Sequence, residues 1–175
     1  MDLIEPVTTP DHQIGPADAR VVVVEYGDFE CPNCKQAAPA VEMLLKRFEG
    51  QVRFVYRHYP LEQVHPRAVT AAEAAECAAA QGRFWEMHRL LFDNQSALEL
   101  DYLNSYAQRI GLDMTRYAQE MFDHAHLERV RSDIESGRKS GVRATPGFFI
   151  NGKRQDVSFG LRLLFDATEA ALKRG

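Results

Sequence analysis

Cysteine is scarce in this sequence: only three of its 175 residues are cysteines. Three are too few for the disulfide framework that holds many small secreted domains together. Two of them stand close together, at Cys31 and Cys34, and Cys77 stands alone. In a reducing compartment a close cysteine pair is more often catalytic or metal-binding than structural.

Long apolar runs and an excess of basic residues are also missing. The longest apolar run near the N-terminus, residues 21–24, is far too short to span a bilayer. The formal net charge is −4, and lysines and arginines are not gathered into one tract. The sequence therefore predicts neither a nucleic-acid partner nor a membrane-spanning segment.

The first residues lack the features of a secretory signal. Residues 1–6 contain no basic region and no apolar region of the kind that signal peptides carry. We therefore expect a cytoplasmic protein, although an exported chain trimmed of its leader would read the same way. The length suits one domain, or one domain with a large insertion, and a monomer is predicted.

Strand and helix patterns alternate at the start of the chain. Residues 21–26 are continuously apolar and β-branched apart from Glu25, which favours a strand buried on both faces. Residues 34–48 carry apolar side chains at helical spacing, and residues 52–57 form a second strand pattern. Together they predict a βαβ unit with parallel strands and a right-handed crossover.

The middle of the chain shows helical spacing without a strand pattern. Four to five helices are predicted between residues 66 and 140. A short strand pattern at 147–150 then runs into Asn151-Gly152, a strong hairpin signal, and a final helix is predicted at about 160–173. The prediction is an α/β fold, βαβ…ββα, with one domain at 1–65 and 141–175 and an inserted helical subdomain at 66–140.

The cysteine pair lies where a strand gives way to a helix. A thiolate at Cys31 would face the unpaired N–H groups and the positive dipole end of that helix, which lowers a thiol pKa. Pro32 suits the first helical position, where its missing N–H does no harm. Cys34 lies nearly one turn further on, so its sulfur can release a mixed disulfide formed on Cys31. This spacing predicts thiol–disulfide exchange without a bound cofactor, since the electrons reside in the two sulfurs.

The sequence around the pair resembles the thioredoxin superfamily, whose CxxCKxxAP stretch is similar to residues 31–39 here. Longer segments resemble the DsbA-like thioredoxin-fold oxidoreductases, which carry a helical insertion at the same place. These segments are Asp11-His12, residues 15–19, Arg57-His58-Tyr59-Pro60-Leu61, His65-Pro66, residues 81–88 and residues 145–152. The resemblance covers most of residues 11–172 and implies a thioredoxin-like fold.

The resemblance also implies roles for residues outside the pair. Pro39 would kink the active-site helix. Pro146, after Thr145, would be the cis-proline that lies against the pair and, with Thr145, offers backbone to a bound substrate strand. Glu25 would be the buried acid near Cys34, with a raised pKa that lets it accept the proton of that thiol.

Several residues are predicted to tune or surround the Cys31 thiolate. The motif has Pro32-Asn33 where the strongly oxidising DsbA enzyme has Pro-His, and Asn33 has no charge to offer. Asp28 and Glu30 precede Cys31 and would oppose its ionisation, so a less acidic thiol is expected. His65 is predicted to have a structural or surface role, with an influence on the pair as the alternative. Cys77 is predicted to be a buried structural thiol, with a regulatory or second redox thiol as the alternative.

The sequence also predicts the class of partners and leaves two alternative functions open. Substrates would be protein or small-molecule thiols and disulfides, with glutathione or a redox protein as the exchange partner; the sequence does not predict the direction of exchange. One rival is a metal-binding or chaperone module using the same CxxC, although zinc usually has four ligands and no second CxxC exists. The other is a glutathione-dependent transferase or isomerase of the DsbA-like type, which typically keeps a single reactive Ser or Cys.

Overall fold

The structure, a computed structural model, describes residues 1–174. Within them it has five strands and seven helices. In chain order these are β1 His12–Ile14, β2 Val21–Gly27, α1 Pro32–Arg47, β3 Val52–His58, α2 Ala68–Ala80, α3 Phe84–Asp93, α4 Leu100–Arg109, α5 Met114–Phe122, α6 Leu127–Lys139, β4 Gly147–Ile150, β5 Lys153–Gln155 and α7 Arg162–Arg174.

The strands form one mixed sheet in the order β1-β3-β2-β4-β5. The pairs β1–β3, β2–β4 and β4–β5 are antiparallel, which leaves β2 and β3 as the parallel pair of the predicted βαβ unit. β2 is central, and Val23, Val24 and Tyr26 are almost completely buried there. The apolar run therefore forms a central strand, as the sequence predicts.

The hairpin between β4 and β5 follows its predicted turn. Asn151 and Gly152 both have positive φ, 46° and 78°, as a two-residue turn of the type favoured between antiparallel strands requires. The sequence does not predict β1, because residues 1–19 show no strand pattern. It is a three-residue edge strand whose pairing with β3, for example His12 with Tyr56, supplies the order that its local sequence lacks.

Five helices occupy the region where four to five were predicted. α2 is rich in alanine and buried along most of its length, since small side chains allow neighbouring helices to approach closely. It ends at Ala80, and Gly82 follows two residues later with a φ of +74°, while the Arg83 N–H donates back to the Ala78 carbonyl at 2.8 Å. The positive φ of Gly82 suits the turn that leaves the helix.

The described chain divides into two compact units. One comprises residues 1–27, 36–57 and 135–174 and contains the sheet and α7; the other comprises residues 28–35 and 58–134 and contains α2–α5. This differs from the predicted limits at 65 and 140, because segment 28–35 packs with the helices through Phe29, whose ring lies 5.0 Å from that of Phe92. The domain assignment made from the sequence stays a prediction.

A buried polar network supports the sheet unit. The Arg57 guanidinium donates to both carboxylate oxygens of Asp11, at 2.8 and 3.0 Å, and to the Tyr26 hydroxyl at 2.9 Å. That hydroxyl also lies 2.7 Å from the Ser136 Oγ. Burial alone would lower the pKa of Arg57, but the bonds to Asp11 and Tyr26 outweigh it and raise that pKa. The N-terminal segment is therefore tied to β3.

None of the helices within residues 1–174 combines the length and the apolar character that crossing a bilayer requires.

Candidate active site

Cys31 and Cys34 lie close together at the start of α1, which begins at Pro32. The Cys31 carbonyl accepts the first helical bonds, from the N–H groups of Cys34 and Lys35, both at 3.1 Å. Cys31 is thus the N-cap residue, the position where the orphan N–H groups and the helix dipole favour a negative charge. The helix begins two residues before the predicted start, because Pro32 fits its first position.

The two cysteines differ slightly in residue exposure. Cys31 is 5% exposed and Cys34 is completely buried, and both are thiols in this structure. Pro32 and Asn33, between them, are exposed. An outer thiol that a substrate can approach and an inner thiol shielded from it suit an attacking and a resolving cysteine, respectively.

Asp28 organises the loop before the pair. Its carboxylate is buried, and one oxygen accepts the Glu30 N–H at 2.7 Å. The other oxygen accepts the Leu61 N–H at 2.8 Å and lies 2.7 Å from the Nδ1 of His65. The Cys31 N–H donates to the Asp28 backbone carbonyl at 3.1 Å. One side chain therefore joins the Cys31 loop to the segment that follows β3.

Both acids that precede Cys31 have partners that offset their charge. Asp28 is paired with His65, and Glu30 accepts the Arg67 N–H at 2.8 Å and lies 3.5 Å from the Arg67 guanidinium. The predicted opposition of these acids to the ionisation of Cys31 stays a prediction. The sequence does not show this pairing, because both partners lie more than thirty residues further along the chain.

His65 carries a raised pKa. Burial alone would lower this pKa. The hydrogen bond to Asp28 and the negative charges of Asp28, Cys31 and Glu30 outweigh burial and raise the pKa above its usual value. His58 has other partners, since its Nε2 lies 2.7 Å from Glu76 and its N–H donates to Asp133 at 2.9 Å.

Gln95 is a site residue that the sequence analysis missed. Its side-chain amide donates to the carbonyls of Phe29 and Cys31, at 2.9 and 2.8 Å. It follows α3, more than sixty residues from the pair, and no motif marks it in the sequence. Gln95 therefore holds the backbone on both sides of Glu30 through main-chain carbonyls.

Glu25, Thr145 and Pro146 belong to the sheet unit. Glu25 is 2% exposed and lies opposite Phe148 in the β2–β4 register. The Thr145–Pro146 peptide bond is cis and directly precedes β4, and Thr145 is buried. Pro39 lies inside α1, as its spacing predicts. The roles assigned to Glu25, Thr145 and Pro146 in exchange stay predictions.

Cys77 lies in a separate cluster on α2. Burial, followed by the nearby carboxylates and a hydrogen bond to Glu120, raises the pKa of the Cys77 thiol to about 12. Its sulfur, Glu120 and His126 offer atoms within 4.8 Å of one another, and His126 Nε2 lies 2.9 Å from Glu120. A thiol that stays protonated and is already hydrogen-bonded fits the structural role predicted for Cys77.

A match to a family model identifies the family of this chain. The family model described as Thioredoxin matches residues 7–161. The chain belongs to the thioredoxin family. Among solved structures, the thioredoxin-like oxidoreductase from Silicibacter pomeroyi is similar, with a TM-score of 0.83 at 25% identity over 95% of this chain and 94% of that one. Wolbachia pipientis alpha-DsbA1 matches with a TM-score of 0.83 at 18% identity, over 96% and 94%.

These matches confirm the predicted fold: this thioredoxin-family chain has the DsbA-like form, with helices inserted between β3 and β4. A curated relative of a different name is closer in sequence. The Na(+)/H(+) antiporter NhaA 1 of Salinispora arenicola is 46% identical over 172 residues, 98% of this chain. The chain spans about a quarter of that relative's length, 26%.

Proposed function

We propose that the chain is a thiol–disulfide oxidoreductase in which Cys31 attacks and Cys34 resolves. The observation that carries the proposal is the pair's position: a slightly exposed thiol as the N-cap of α1, with a buried thiol in the first turn. Membership of the thioredoxin family and the DsbA-like fold support it. The proposal concerns the chemistry of Cys31 and Cys34. It does not concern the activity of the longer relatives that are named Na(+)/H(+) antiporters.

The exchange takes place in two balanced steps. The Cys31 thiolate attacks one sulfur of a substrate disulfide, so a mixed disulfide forms and the first substrate thiolate leaves. Cys34 then loses its proton and attacks the Cys31 sulfur, releasing the second substrate thiolate. Two electrons have passed to the substrate, and Cys31 and Cys34 end as a disulfide. The reverse sequence oxidises a substrate dithiol.

Residues of the sheet unit are proposed to assist. Glu25, which is 2% exposed, would accept the Cys34 proton. Thr145 and Pro146, directly before β4, would offer backbone groups to an extended substrate segment. Pro32 and Asn33, both exposed, would border the attacking sulfur.

Trapping the mixed disulfide tests the proposal. The Cys34→Ser variant, incubated with a peptide disulfide, is expected to accumulate a covalent adduct at Cys31 that intact-mass measurement detects. Cys34→Ser combined with Cys31→Ser should form none, and Cys77→Ser is the matched control that leaves the pair intact. Failure of Cys34→Ser to form an adduct contradicts the proposal.

The direction of exchange follows from the redox equilibrium with glutathione. In the cytoplasm, our proposed location, glutathione would keep a moderately oxidising pair reduced and favour reductase work. An equilibrium constant near that of thioredoxin supports this direction, and a strongly oxidising value supports oxidase work. Metal analysis of the reduced protein separates both from the metal-binding rival, which predicts a bound ion that Cys31→Ser removes.

A further inference from the structure

Cys77, Glu120 and His126 form a cluster that the exchange steps do not use. Cys77 lies on α2, Glu120 lies on α5, and His126 directly precedes α6. The Cys77 sulfur, a Glu120 carboxylate oxygen and a ring nitrogen of His126 all lie within 4.8 Å of one another. The fold therefore brings three different metal-ligating side chains together from three segments of the same compact unit.

The separations within the cluster suit one small ion. Zinc bonds to sulfur, nitrogen and oxygen are about 2.0–2.3 Å long, so two ligands of a tetrahedral zinc lie roughly 3–4 Å apart. The His126 Nε2 already lies 2.9 Å from the Glu120 Oε2. The other carboxylate oxygen, Oε1, accepts from the Arg116 Nε at 2.7 Å. Arg116 therefore orients the carboxylate so that Oε2 faces the cluster.

The combination of ligand types selects zinc rather than a harder cation. Zinc accepts thiolate, imidazole and carboxylate ligands, whereas Ca²⁺ and Mg²⁺ prefer oxygen ligands alone. Three protein ligands leave a fourth tetrahedral position, which water fills.

Tyr117 supplies a buried hydroxyl beside the cluster. It lies one helical turn before Glu120 on α5, so the two side chains share a face of that helix. Burial, followed by the charge of Cys77, raises the pKa of Tyr117. Tyr117 is 0% exposed, and its hydroxyl has no hydrogen-bond partner within residues 1–174. A water held by the ion would give this hydroxyl a partner.

The charges around Cys77 favour a cation. Burial raises the pKa of the Cys77 thiol, and three nearby carboxylates raise it further. These carboxylates belong to Glu120, Glu73 and Glu76. The negative charges that oppose a thiolate attract a divalent cation, and a bound cation deprotonates a coordinating thiol. An ion can enter beside Glu120 and His126, whose side chains are 17% and 25% exposed.

We propose that Cys77, Glu120 and His126 bind one Zn²⁺ ion, which joins α2 to α5 and to the start of α6. The Cys77 thiol gives up its proton to solvent as its sulfur binds the ion, and no electrons are transferred. His126 binds through Nε2 of the neutral ring, and Glu120 binds through Oε2. This inference goes beyond thiol–disulfide exchange and does not depend on it, because the three residues take no part in the exchange steps.

Cobalt binding tests the site in a protein with a single thiol. In the full chain carrying Cys31→Ser and Cys34→Ser, Cys77 is the remaining thiol, so a sulfur-to-cobalt charge-transfer band can come only from it. Titration with Co²⁺ should produce this band and saturate at a single ion per chain, and Zn²⁺ should then displace the cobalt. A titration without the band overturns the proposal. This readout requires no change within the cluster itself.

Ligand variants in the same background test which side chains hold the ion. Cys77→Ala should remove the band. His126→Gln and Glu120→Gln should each weaken Zn²⁺ binding by at least about 10-fold, since loss of an outer-shell partner alone costs about 10–100-fold. Isothermal titration with Zn²⁺ measures the affinity. Unchanged affinity in either variant overturns the three-ligand site.

His124→Asn is the matched control, because it removes a second histidine–carboxylate pair of the same unit. His124 is 64% exposed and lies 2.8 Å from Glu73. Its φ of +51° makes asparagine the suitable replacement, since asparagine tolerates this conformation. The control should keep the Zn²⁺ affinity of its parent. A loss equal to that of His126→Gln would overturn the inference.

Metal analysis of Cys31→Ser separates this site from a site on the CxxC motif. The protein is saturated with Zn²⁺ and passed through a desalting column before the analysis. An ion held by Cys77, Glu120 and His126 should be retained in Cys31→Ser and lost in Cys77→Ala. The opposite pattern, with the ion lost in Cys31→Ser and retained in Cys77→Ala, would contradict the inference and support the metal-binding alternative at the CxxC motif.

Discussion

The side-chain amide of Gln95 donates to the carbonyl oxygen of Cys31 at 2.8 Å, although the two residues are 64 positions apart. The same amide donates to the Phe29 carbonyl at 2.9 Å. One side chain therefore satisfies two backbone acceptors in the loop that presents the attacking thiol. Side-chain bonds, among them those of Gln95 and Asp28, hold this loop.

Gln95→Ala should destabilise the protein by about 1–2 kcal/mol, because two partly buried carbonyls lose their donor. Urea denaturation measures the change in the free energy of unfolding. Gln119→Ala is the matched control, since its amide bonds only the exposed Asp123 at 2.7 Å. The control should change stability by less than about 0.5 kcal/mol, and an equal loss in both variants would contradict the role given to Gln95.

The His65–Asp28 pair predicts a pH-dependent stability. The pKa of His65 is raised in the folded protein, so its contribution is fully present below the unfolded value, about 6.5, and is lost as pH rises through the folded value. The stability difference between wild type and His65→Gln should be largest near pH 6 and decline towards pH 8.5. Urea denaturation across this range measures it, and a difference that grows with pH would refute the prediction.

The Cys77 thiol should be unreactive towards alkylating reagents in the folded protein. Its thiol pKa is raised to about 12, so at pH 8 only a minute fraction is thiolate. Iodoacetamide at pH 8 should therefore modify Cys31 in the native reduced protein and reach Cys77 only after unfolding in urea. Peptide mass mapping after both treatments shows which residues react. Native labelling of Cys77 at the rate of Cys31 would contradict the burial and hydrogen bonding assigned to it.

Tyr26→Phe should reduce stability without affecting the thiol chemistry. The variant removes the hydroxyl that accepts from Arg57 and lies 2.7 Å from the Ser136 Oγ, leaving both groups short of a buried partner. A loss of about 1–3 kcal/mol in the free energy of unfolding is expected. Tyr102→Phe, at an exposed position, is the control and should be nearly neutral. Comparable losses in the two variants would argue against the network.

Local patterns in the sequence account for most of the fold. The apolar run before Cys31 predicts β2, the Asn151-Gly152 pair predicts the β4–β5 turn, and helical spacing predicts the inserted helices. β1 was missed because its order comes from pairing with β3 across about forty residues. A strand of three residues carries too short a pattern to distinguish it from a loop.

The candidate site also has features that local sequence predicts and features that it does not. The spacing of Cys31 and Cys34 is local, so the place of Cys31 at the helix start and of Cys34 in the first turn could be predicted. The partners of the loop could not: His65, Arg67 and Gln95 reach it from distant segments. The sequence shows the acids at 28 and 30 but not their partners His65 and Arg67, because the fold brings those partners from distant segments.

Turnover of a dithiol/disulfide test substrate by Cys31→Ser is the most direct measurement of the central claim. With glutathione as reductant and a peptide disulfide as substrate, we expect the variant to fall to the uncatalysed rate, while Cys77→Ser keeps the wild-type rate. Catalysis by Cys31→Ser at the wild-type rate would contradict the account, because no other described thiol combines an N-cap position with access to a substrate.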